Sequence, residues 1–355
     1  MNKLKCVFLV DPMQPRDNSS HNKDVQTFVE NLLHEKSIRI EKGVALMESR
    51  LQNKWGYRSE TILKLIVAAL LNSIKARRLA HKYDVTVFNP NDDPISLFVL
   101  QEFRKFTSST FTIKSRFICT RDRILISQSS FLIGQLKKRI SAMTSSEDRM
   151  SAETMSYSAF LSVEFNMMVD FVPYPPIDHR FSNVPNPIKN DLFVALGAAR
   201  EDKGFDNLIT WIDRITQNNP DAHFVIQEAS KKWKSYEENL QKLKELENVK
   251  ILPSFIDSQT QHELLSSSFA VLTPYDPIIY QFRGSAFVRR AMYMGKLICA
   301  LPDTSLSRDA ENHNLLIFPE SSINDQKTSK SHKVRQELGV KLQKESIKSW
   351  KNFLL

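Results

Sequence analysis

Glycine is scarce in this sequence, with 8 residues in 355, whereas about 25 would be ordinary for that length. No Gly-x-Gly-x-x-Gly follows the first apolar run, and no Walker loop occurs anywhere. Dinucleotide-dependent dehydrogenases and P-loop NTPases are therefore disfavoured. Four of the eight glycines, Gly197, Gly204, Gly284 and Gly295, fall in two segments described below. We expect these four to meet backbone needs, either a positive φ or a close approach.

Cysteine is also rare. The three residues Cys6, Cys119 and Cys299 lie far apart, and each has apolar neighbours typical of a strand. Such spacing suits neither a disulfide framework nor a zinc site. We expect buried, free thiols in a reducing compartment.

Long hydrophobic runs are missing as well. The longest, at 65–71, is far shorter than the roughly 20 residues that cross a bilayer. The N-terminal apolar run soon reaches Asp11-Pro12, which predicts no signal peptide. We therefore expect a cytoplasmic protein.

The formal net charge is +9. An excess of this size favours anionic partners such as a nucleotide, an acidic glycan or a lipid headgroup surface, unless it merely reflects a lysine-rich composition. Peripheral contact with the inner face of an anionic membrane fits the same charge. Aromatic residues are not interleaved with basic ones in a stripe, so no nucleic-acid partner is expected.

The length predicts two domains, because single hydrophobic cores stop growing near ~250–300 residues. Strand-like and helix-like segments alternate, which predicts α/β architecture with parallel sheets. Five prolines between positions 173 and 187 indicate a stiff linker. We predict two Rossmann-like domains, at 1–175 and 191–330, joined by a linker at 176–190. A basic C-terminal helix at 331–355 is expected to pack back on the first domain.

The periodicity gives more detailed expectations. In the first domain it predicts strands at 5–10, 84–88, 117–119, 124–127 and 160–165, and helices at 23–35, 37–82 and 130–143. In the second domain it predicts strands at 192–196, 222–226, 249–252, 269–272 and 297–300, and helices at 205–217, 233–246, 259–267 and 286–294.

The most informative stretch follows the first strand of the second domain. That strand ends at Gly197, the cations Arg200 and Lys203 follow three residues apart, and Gly204 precedes an amphipathic helix. A strand that turns through glycine into a helix presents backbone N–H groups and a positive dipole end. With two cationic side chains beside them, these groups are suited to a diphosphate.

A second segment, residues 274–299, also follows a strand and enters a helix at Gly284, Ser285 and Ala286. Its N–H groups could bind phosphate, or Ser285 could be a plain N-cap and Gly295 a helix stop. Ligands in doubly wound sheets lie beyond the carboxyl ends of the strands. Two such segments in one α/β domain therefore favour a shared ligand site.

These segments resemble a known family. The runs LGAAREDKGFDNL at 196–208, NVKI at 248–251, LLSSSFAVLTPYD at 264–276, RGSA at 283–286 and AMYMGK at 291–296 occur in an order similar to the landmarks of its donor-binding domain. The family is the large retaining group of GT-B glycosyltransferases (group 1, family 4-like), typified by bacterial cell-wall and exopolysaccharide enzymes.

The resemblance implies two domains facing a cleft and a nucleotide-diphosphate sugar as donor. It implies transfer with retention to a glycan or lipid-linked acceptor, in surface polysaccharide or glycolipid synthesis. No metal or other cofactor is expected. Arg200 and Lys203 would bind the diphosphate and stabilise the leaving group, assisted by the backbone at Gly197 and at Gly284, Ser285 and Ala286.

The sequence departs from the family at the position that contacts the nucleotide ribose. Arg290 stands where the family carries glutamate, and Phe282 stands at the partner acidic position eight residues earlier. Asp276 and Arg290 are kept as donor-binding candidates. Gln227 replaces a glycine that the family often has after its strand. Either the nucleotide is held differently, or the chain is a catalytically degenerate GT-B binding or scaffold protein.

Candidates on the acceptor side come from the loop 11–22, where Ser20 and His21 would face the cleft or else be solvated. Arg121 and Arg123 would bind an acidic acceptor or lie in solvent. The acidic pair Asp92-Asp93 lies between Pro90 and Pro94, which predicts a turn rather than a metal site.

Overall fold

A computed structural model describes residues 3–10, 20–44, 52–53, 56–57, 59–90, 93–119, 131–176, 188–197, 199–229, 232–321 and 324–355. The chain forms two compact units. Unit 1 comprises Met1–Pro175 and Lys348–Leu355, and unit 2 comprises Pro176–Ile347. The last residues of the chain thus belong to the first unit.

Unit 1 is built on a parallel sheet. Its elements are β1 Lys5–Leu9, α1 Ser20–His34, β2 Arg39–Lys42, β3 Gln52–Asn53, β4 Gly56–Tyr57, α2 Ser59–Ala80, β5 Asp84–Asn89, α3 Pro94–Thr107, β6 Thr112–Phe117, α4 Phe131–Met143, β7 Arg149–Ala152, α5 Met155–Phe165 and β8 Val169–Phe171. The strand order is β2-β1-β5-β6-β7-β8, with all neighbours parallel, and β3 and β4 form a separate antiparallel pair. The order reverses between β1 and β5, which is where such sheets bind ligands.

Some expectations for unit 1 were wrong. Residues 37–82 are not one helix, because β2 precedes α2 and pairs with β1. The expected strand at 160–165 is part of α5, whose N-terminus is capped by the Thr154 side chain. Tyr157, Leu161 and Phe165 recur at helical spacing and are all buried. Burial of this one face stabilises the segment as a helix. The expected strand at 117–119 lies earlier, in β6, and the one at 124–127 falls outside the described residues.

Pro90 lies in a turn, in line with the expectation for the segment around Asp92 and Asp93, and Asp93 then caps a helix that begins at Pro94. The Asp93 carboxylate accepts hydrogen bonds from the N–H groups of Ile95 and Ser96 at 3.0 and 2.8 Å, and Pro94 is the first residue of α3. This is a standard N-cap. Asp92 lies outside the described residues.

The C-terminal helix, α11, spans Ser329–Leu354, and its end packs in unit 1 as predicted. The Trp350 side chain is fully buried, and its Nε1 donates to the Pro173 carbonyl at 2.9 Å. Its ring meets those of Phe28 and Phe88 edge to face, at 5.7 and 6.3 Å between centroids. At the end of α11, the Lys114 ammonium donates to the Leu354 carbonyl at 3.0 Å. A cation at this position complements the negative end of the helix dipole.

Unit 2 is a second parallel α/β unit. Besides most of α11, it contains β9 Leu192–Ala195, α6 Leu208–Asn218, β10 His223–Gln227, α7 Tyr236–Lys244, β11 Val249–Leu252, α8 Ser258–Ser267, β12 Ala270–Thr273, α9 Ala286–Tyr293, β13 Leu297–Ala300, α10 Ser305–Glu311 and β14 Leu316–Ile317. The sheet order is β11-β10-β9-β12-β13-β14, with parallel pairing throughout. This is the Rossmann order, and it reverses between β9 and β12. Every strand predicted for this domain is present, while α10 and β14 were not expected.

Both faces of the unit 2 sheet are buried. Along β9, Val194 belongs to the core cluster on one face and Phe193 to that on the other. On the second face, α6 buries Leu208, Ile212 and Ile215, at the spacing that the sequence shows. A sheet covered on both faces explains why these strands are continuous apolar runs.

Two expectations about the whole chain can be compared with the structure. All three cysteines are free and buried, as predicted. None of the helices in the described part of the chain is both long enough and apolar enough to cross a membrane.

Candidate anion site at the switch point of unit 2

The turn after β9 has the backbone geometry that its glycines suggested. Gly197 has φ +94° and Gly204 has φ +67°, both in the region that side chains rarely adopt. Between them, Glu201–Lys203 form a 3₁₀ turn, and Phe205–Asn207 form another that leads into α6. Arg200 and Lys203 therefore lie at the carboxyl end of β9, beside the point where the strand order reverses.

The structure brings the two predicted segments together. A Cβ on Gly204 would lie 1.8 Å from the Pro274 carbonyl oxygen, so only glycine allows this approach. One turn earlier, the Asp202 carbonyl accepts the Asp276 N–H at 3.1 Å. The segment after β12 is thus held directly against the Arg200–Lys203 turn, and a ligand site shared by the two segments stays a prediction.

A cluster of charged and phenolic groups joins these segments. Arg200 binds the Asp202 carboxylate through Nε at 2.9 Å and Nη2 at 3.1 Å, and Nη2 also donates to Tyr280 Oη at 3.1 Å. Arg283 Nη1 lies 3.5 Å from the same carboxylate, and its guanidinium lies 5.3 Å from the centre of the Tyr280 ring. Two arginines from different segments therefore share one carboxylate, an arrangement that an incoming phosphate could replace.

Sequence reasoning missed Asp202, Tyr280 and Arg283 as members of this cluster. Asp202 lies between the two predicted cations. A carboxylate at this position is a signal in the sequence that it could pair with a neighbouring cation of the same turn. Nothing in the sequence places Tyr280 and Arg283 beside them, because that contact depends on the close approach at Gly204.

Lys203 lies at the bottom of the turn. Its ammonium donates to the Gly197 carbonyl and lies 5.9 Å from the centre of the Tyr275 ring. Burial lowers the pKa of Lys203 from 10.5 to about 7, and the positive charges of Arg200 and Arg283 act in the same direction. A bound anion would favour the charged form and raise this pKa.

Gln227, at the end of β10, fixes the position of the Gly197 backbone. Its side-chain oxygen accepts the Gly197 N–H at 2.7 Å, and its Nε2 donates to the Ser254 carbonyl at 2.8 Å. One N–H of the predicted anion cradle is therefore already bound within the protein. Gln227 and Lys203 also line a small pocket with the apolar side chains of Leu196, Ile226 and Tyr275.

The second segment enters α9 as predicted. Ser285 is the N-cap, and its hydroxyl accepts the Val288 N–H at 3.4 Å. Ala286 is the first helical residue, so its N–H belongs to the first turn, where groups lack partners within the helix. Gly284 does not have a positive φ, unlike Gly197, Gly204 and Gly295.

Asp276, Arg290 and Gly295 each contact groups of the protein. The Asp276 carboxylate accepts the N–H groups of Ile278 and Ile279 at 2.8 and 3.2 Å. Arg290 Nη1 lies 3.4 Å from the Gln261 side-chain oxygen on α8. A Cβ on Gly295 would lie 2.2 Å from the Arg335 carbonyl, so this glycine serves the packing of α11 on the end of α9.

The acceptor candidates lie at the edge of the described structure. Ser20 and His21 are the first residues of α1, not part of a loop to residue 22, and their side chains fall outside the description. Arg121 and Arg123 fall outside it entirely. Across the described ranges, no group of three or more His, Cys, Asp or Glu side chains is placed to hold a metal ion.

Comparison with known proteins gives a result at the level of the fold. No protein-family model and no curated protein sequence matches the chain. Solved structures do match along nearly its whole length. One is described as trehalose-6-phosphate from E. coli bound with UDP-2-fluoro glucose, with TM-score 0.64 and 10% identity over 97% of this chain and 96% of that one. The chain has the GT-B fold.

Two further matches show the range of proteins with this fold. A UDP-forming α,α-trehalose-phosphate synthase from Burkholderia xenovorans matches with TM-score 0.64 and 9% identity, over 99% of this chain and 98% of that one. A putative UDP-N-acetylglucosamine 2-epimerase from Listeria monocytogenes matches with TM-score 0.54 and 12% identity, over 95% and 91%. The predicted α/β fold of two Rossmann-like units is thereby confirmed.

Proposed function

We propose that the chain is a glycosyltransferase that uses a nucleotide-diphosphate sugar as donor. The observation that carries this proposal is the position of Arg200, Lys203 and Arg283 at the switch point of the unit 2 sheet. Three cations at such a point match the two or three negative charges of a nucleoside diphosphate. The UDP-containing and UDP-forming proteins of the same fold make uridine diphosphate the first nucleotide to test.

The chemistry asked of this site is stabilisation of a leaving group. When the bond between the sugar C1 and the β-phosphate oxygen breaks, the electron pair stays on the diphosphate. Arg200 and Lys203 would offset that growing negative charge without moving, and the first-turn N–H groups of α9 at Ala286 would add to it. Neutral Tyr280 would keep the Arg200 guanidinium oriented while Asp202 is exchanged for phosphate.

The finer aspects of the proposal come from the family resemblance. Transfer would proceed with retention, to a glycan or lipid-linked acceptor, in the synthesis of a surface polysaccharide or glycolipid. No metal or other cofactor is assigned to the reaction. Gly197, Gly284, Ser285 and Asp276 remain proposed donor contacts, and Ser20 and His21 remain proposed acceptor contacts.

A second candidate function is binding without catalysis. Two observations favour it: Arg290 stands where the family carries glutamate and lies against Gln261 of α8, and Gln227 accepts the Gly197 N–H. A GT-B protein with these features could bind a nucleotide or a protein partner and transfer nothing.

The test is release of nucleoside diphosphate from UDP-, GDP- and ADP-sugars, measured by anion-exchange chromatography with a panel of glycan acceptors. We expect release from one donor, and its loss in Arg200→Ala and Lys203→Ala. The matched controls are Arg214→Ala and Lys242→Ala, which remove exposed cations of α6 and α7. Full activity in either site variant would overturn the assignment of the site. Nucleotide binding without release from any donor would favour the second candidate.

A further inference from the structure

Two buried cations lie at the amino edge of the unit 2 sheet, the edge opposite to the Arg200–Lys203 turn. Lys296 immediately precedes β13 and is 3% exposed. Arg335 lies on α11 and is 5% exposed, and its guanidinium lies 5.6 Å from the centre of the Phe269 ring. Phe269 immediately precedes β12, which pairs in parallel with β13. Both cations therefore lie where these two neighbouring strands begin.

The backbone of α11 brings the two cations together. A Cβ on Gly295 would lie 2.2 Å from the Arg335 carbonyl oxygen, and one on Gly339 would lie 2.5 Å from the Tyr293 carbonyl oxygen. Glycine at both positions allows α11 to contact the end of α9 through its backbone. Lys296 follows Gly295 directly, so this contact sets Arg335 beside it. Burial lowers the pKa of Lys296 from 10.5 to about 7, and the positive charge of Arg335 acts in the same direction.

Neither cation has a carboxylate partner in the part of the chain that the structure describes. Buried lysine and arginine side chains are normally paired with an acid, as Arg289 of the same unit is with Asp309. Two like charges buried together without a counter-ion are costly. Lys296 and Arg335 therefore lack the negative charge that Arg289 receives from within the protein.

The hydrogen-bond donors of these two side chains are only partly used. The Lys296 ammonium has three N–H groups and donates to one acceptor, the Ser266 carbonyl at 2.5 Å. The Arg335 guanidinium has five N–H groups. Its Nη1 donates to the carbonyl and the side-chain oxygen of Gln326 at 3.0 and 2.9 Å, and its Nη2 donates to His332 Nδ1 at 2.9 Å. Each cation thus keeps N–H groups that no described residue accepts.

We propose that these N–H groups bind a phosphate group, either free orthophosphate or the phosphate of a monoester. Two cations match the charge of a phosphate dianion, and their N–H groups suit its oxygens. The bound phosphate would supply the missing counter-ion and tie α11 to the amino ends of β12 and β13.

The surroundings of the two cations border on solvent. Ser266 and His332 are half-buried, and the exposed Asn190 accepts the His332 Nε2–H at 2.6 Å through its side-chain oxygen. A small anion can therefore approach from this side. The phosphate site lies at the opposite edge of the sheet from the proposed donor site and does not depend on the proposed transfer reaction.

The experiment is equilibrium dialysis of the full chain against radiolabelled orthophosphate at pH 7, with chloride added to keep the ionic strength constant. The reference protein carries Arg200→Ala/Lys203→Ala, so that the proposed donor site does not contribute to binding. We expect one phosphate per chain with a sub-millimolar Kd. Adding Lys296→Met or Arg335→Gln should weaken binding at least tenfold, because each removes charge-assisted hydrogen bonds.

A competition step distinguishes the two sources of the phosphate group. Glycerol 3-phosphate should displace the label if the site takes a monoester, and should leave the label bound if the site takes the free ion alone. Displacement that persists in Lys296→Met with unchanged affinity would contradict the proposal.

Matched controls separate this site from positive charge in general. Lys344→Met and Arg214→Gln remove exposed cations of α11 and α6 and should change the Kd less than threefold. Circular dichroism should show the variants folded, and Lys296→Met decides the test if Arg335→Gln does not fold, because methionine fills the space of the buried lysine. The proposal is overturned if the reference protein binds no phosphate at millimolar concentration. It is also overturned if the Lys296 and Arg335 variants bind phosphate as tightly as the controls.

Discussion

Replacing Lys203 with methionine should make the unliganded protein more stable, although it removes a residue of the proposed site. Burial lowers the pKa of Lys203 from 10.5 to about 7, so the folded chain holds the charged ammonium only at a cost. The methionine side chain fills a similar volume, carries no charge and suits the aromatic face of Tyr275.

The size of the effect follows from the pKa. Between pH 7 and 10.5 the folded chain binds fewer protons at Lys203 than the unfolded chain, so stability of the parent rises with pH in that window. Because a tenfold change in proton affinity corresponds to about 1.4 kcal/mol, the cost of the charge is at most about 5 kcal/mol at pH 6 and about 2 kcal/mol at pH 9. Loss of the hydrogen bond to the Gly197 carbonyl reduces the gain by about 1 kcal/mol.

The assay is thermal unfolding of parent and Lys203→Met at pH 6 and pH 9, without nucleotide. We expect the variant to unfold several degrees above the parent at pH 6, with a smaller difference at pH 9. Lys344→Met, at an exposed position of α11, is the control and should show no such pH dependence. A variant that is less stable than the parent at both pH values would refute the reasoning about the buried ammonium.

Two further predictions concern packing. Gly204→Ala should lower the thermal midpoint severely or prevent folding, because φ is +67° and the new Cβ would meet the Pro274 carbonyl. The control is Gly134→Ala in α4, where the new Cβ has open space around it. This control should stabilise the protein by about 0.5–1 kcal/mol. Trp350→Ala should cost about 3–5 kcal/mol in unit 1, as measured by urea unfolding. Trp350 packs on Phe28 and Phe88 of unit 1, so nucleotide affinity in Trp350→Ala should stay within twofold of the parent. A larger loss of affinity would contradict separate roles for the two units.

The strands and helices of unit 2 could be predicted from the sequence because each is marked by a pattern within its own segment. The strands are short apolar runs, and helices such as α6 carry Leu208, Ile212 and Ile215 at regular spacing. In unit 1, the residues Phe160–Phe165 alternate like a strand, yet burial of Tyr157, Leu161 and Phe165 makes them helical. Such burial depends on the neighbouring elements, which the local pattern does not contain.

The same contrast holds for the site. The sequence predicted the special backbone geometry of Gly197 and Gly204, and it placed Arg200 and Lys203 on the same turn, because these features depend on one short stretch of chain. Their role in binding a donor stays a prediction. The shared carboxylate of Asp202 depends on contact between residues some 80 positions apart, and no local pattern reports such a contact.

The role of Gln227 was likewise out of reach of the sequence. It stood out only as a departure from the family, and the structure explains it by two hydrogen bonds, to the Gly197 N–H and the Ser254 carbonyl. Those partners lie on different loops of unit 2, so their meeting is a property of the folded sheet.

The measurement that tests the central claim most directly is isothermal titration calorimetry of UDP, GDP and ADP into the full chain at pH 7.5, in buffers of different ionisation enthalpy. We expect a sub-millimolar Kd for one nucleotide, at least tenfold weaker binding in Arg200→Ala, and proton uptake on binding that disappears in Lys203→Met. The proton uptake arises because bound diphosphate raises the pKa of Lys203 from about 7. The absence of binding to all three nucleotides at millimolar concentration, or binding that ignores both substitutions, would contradict that claim.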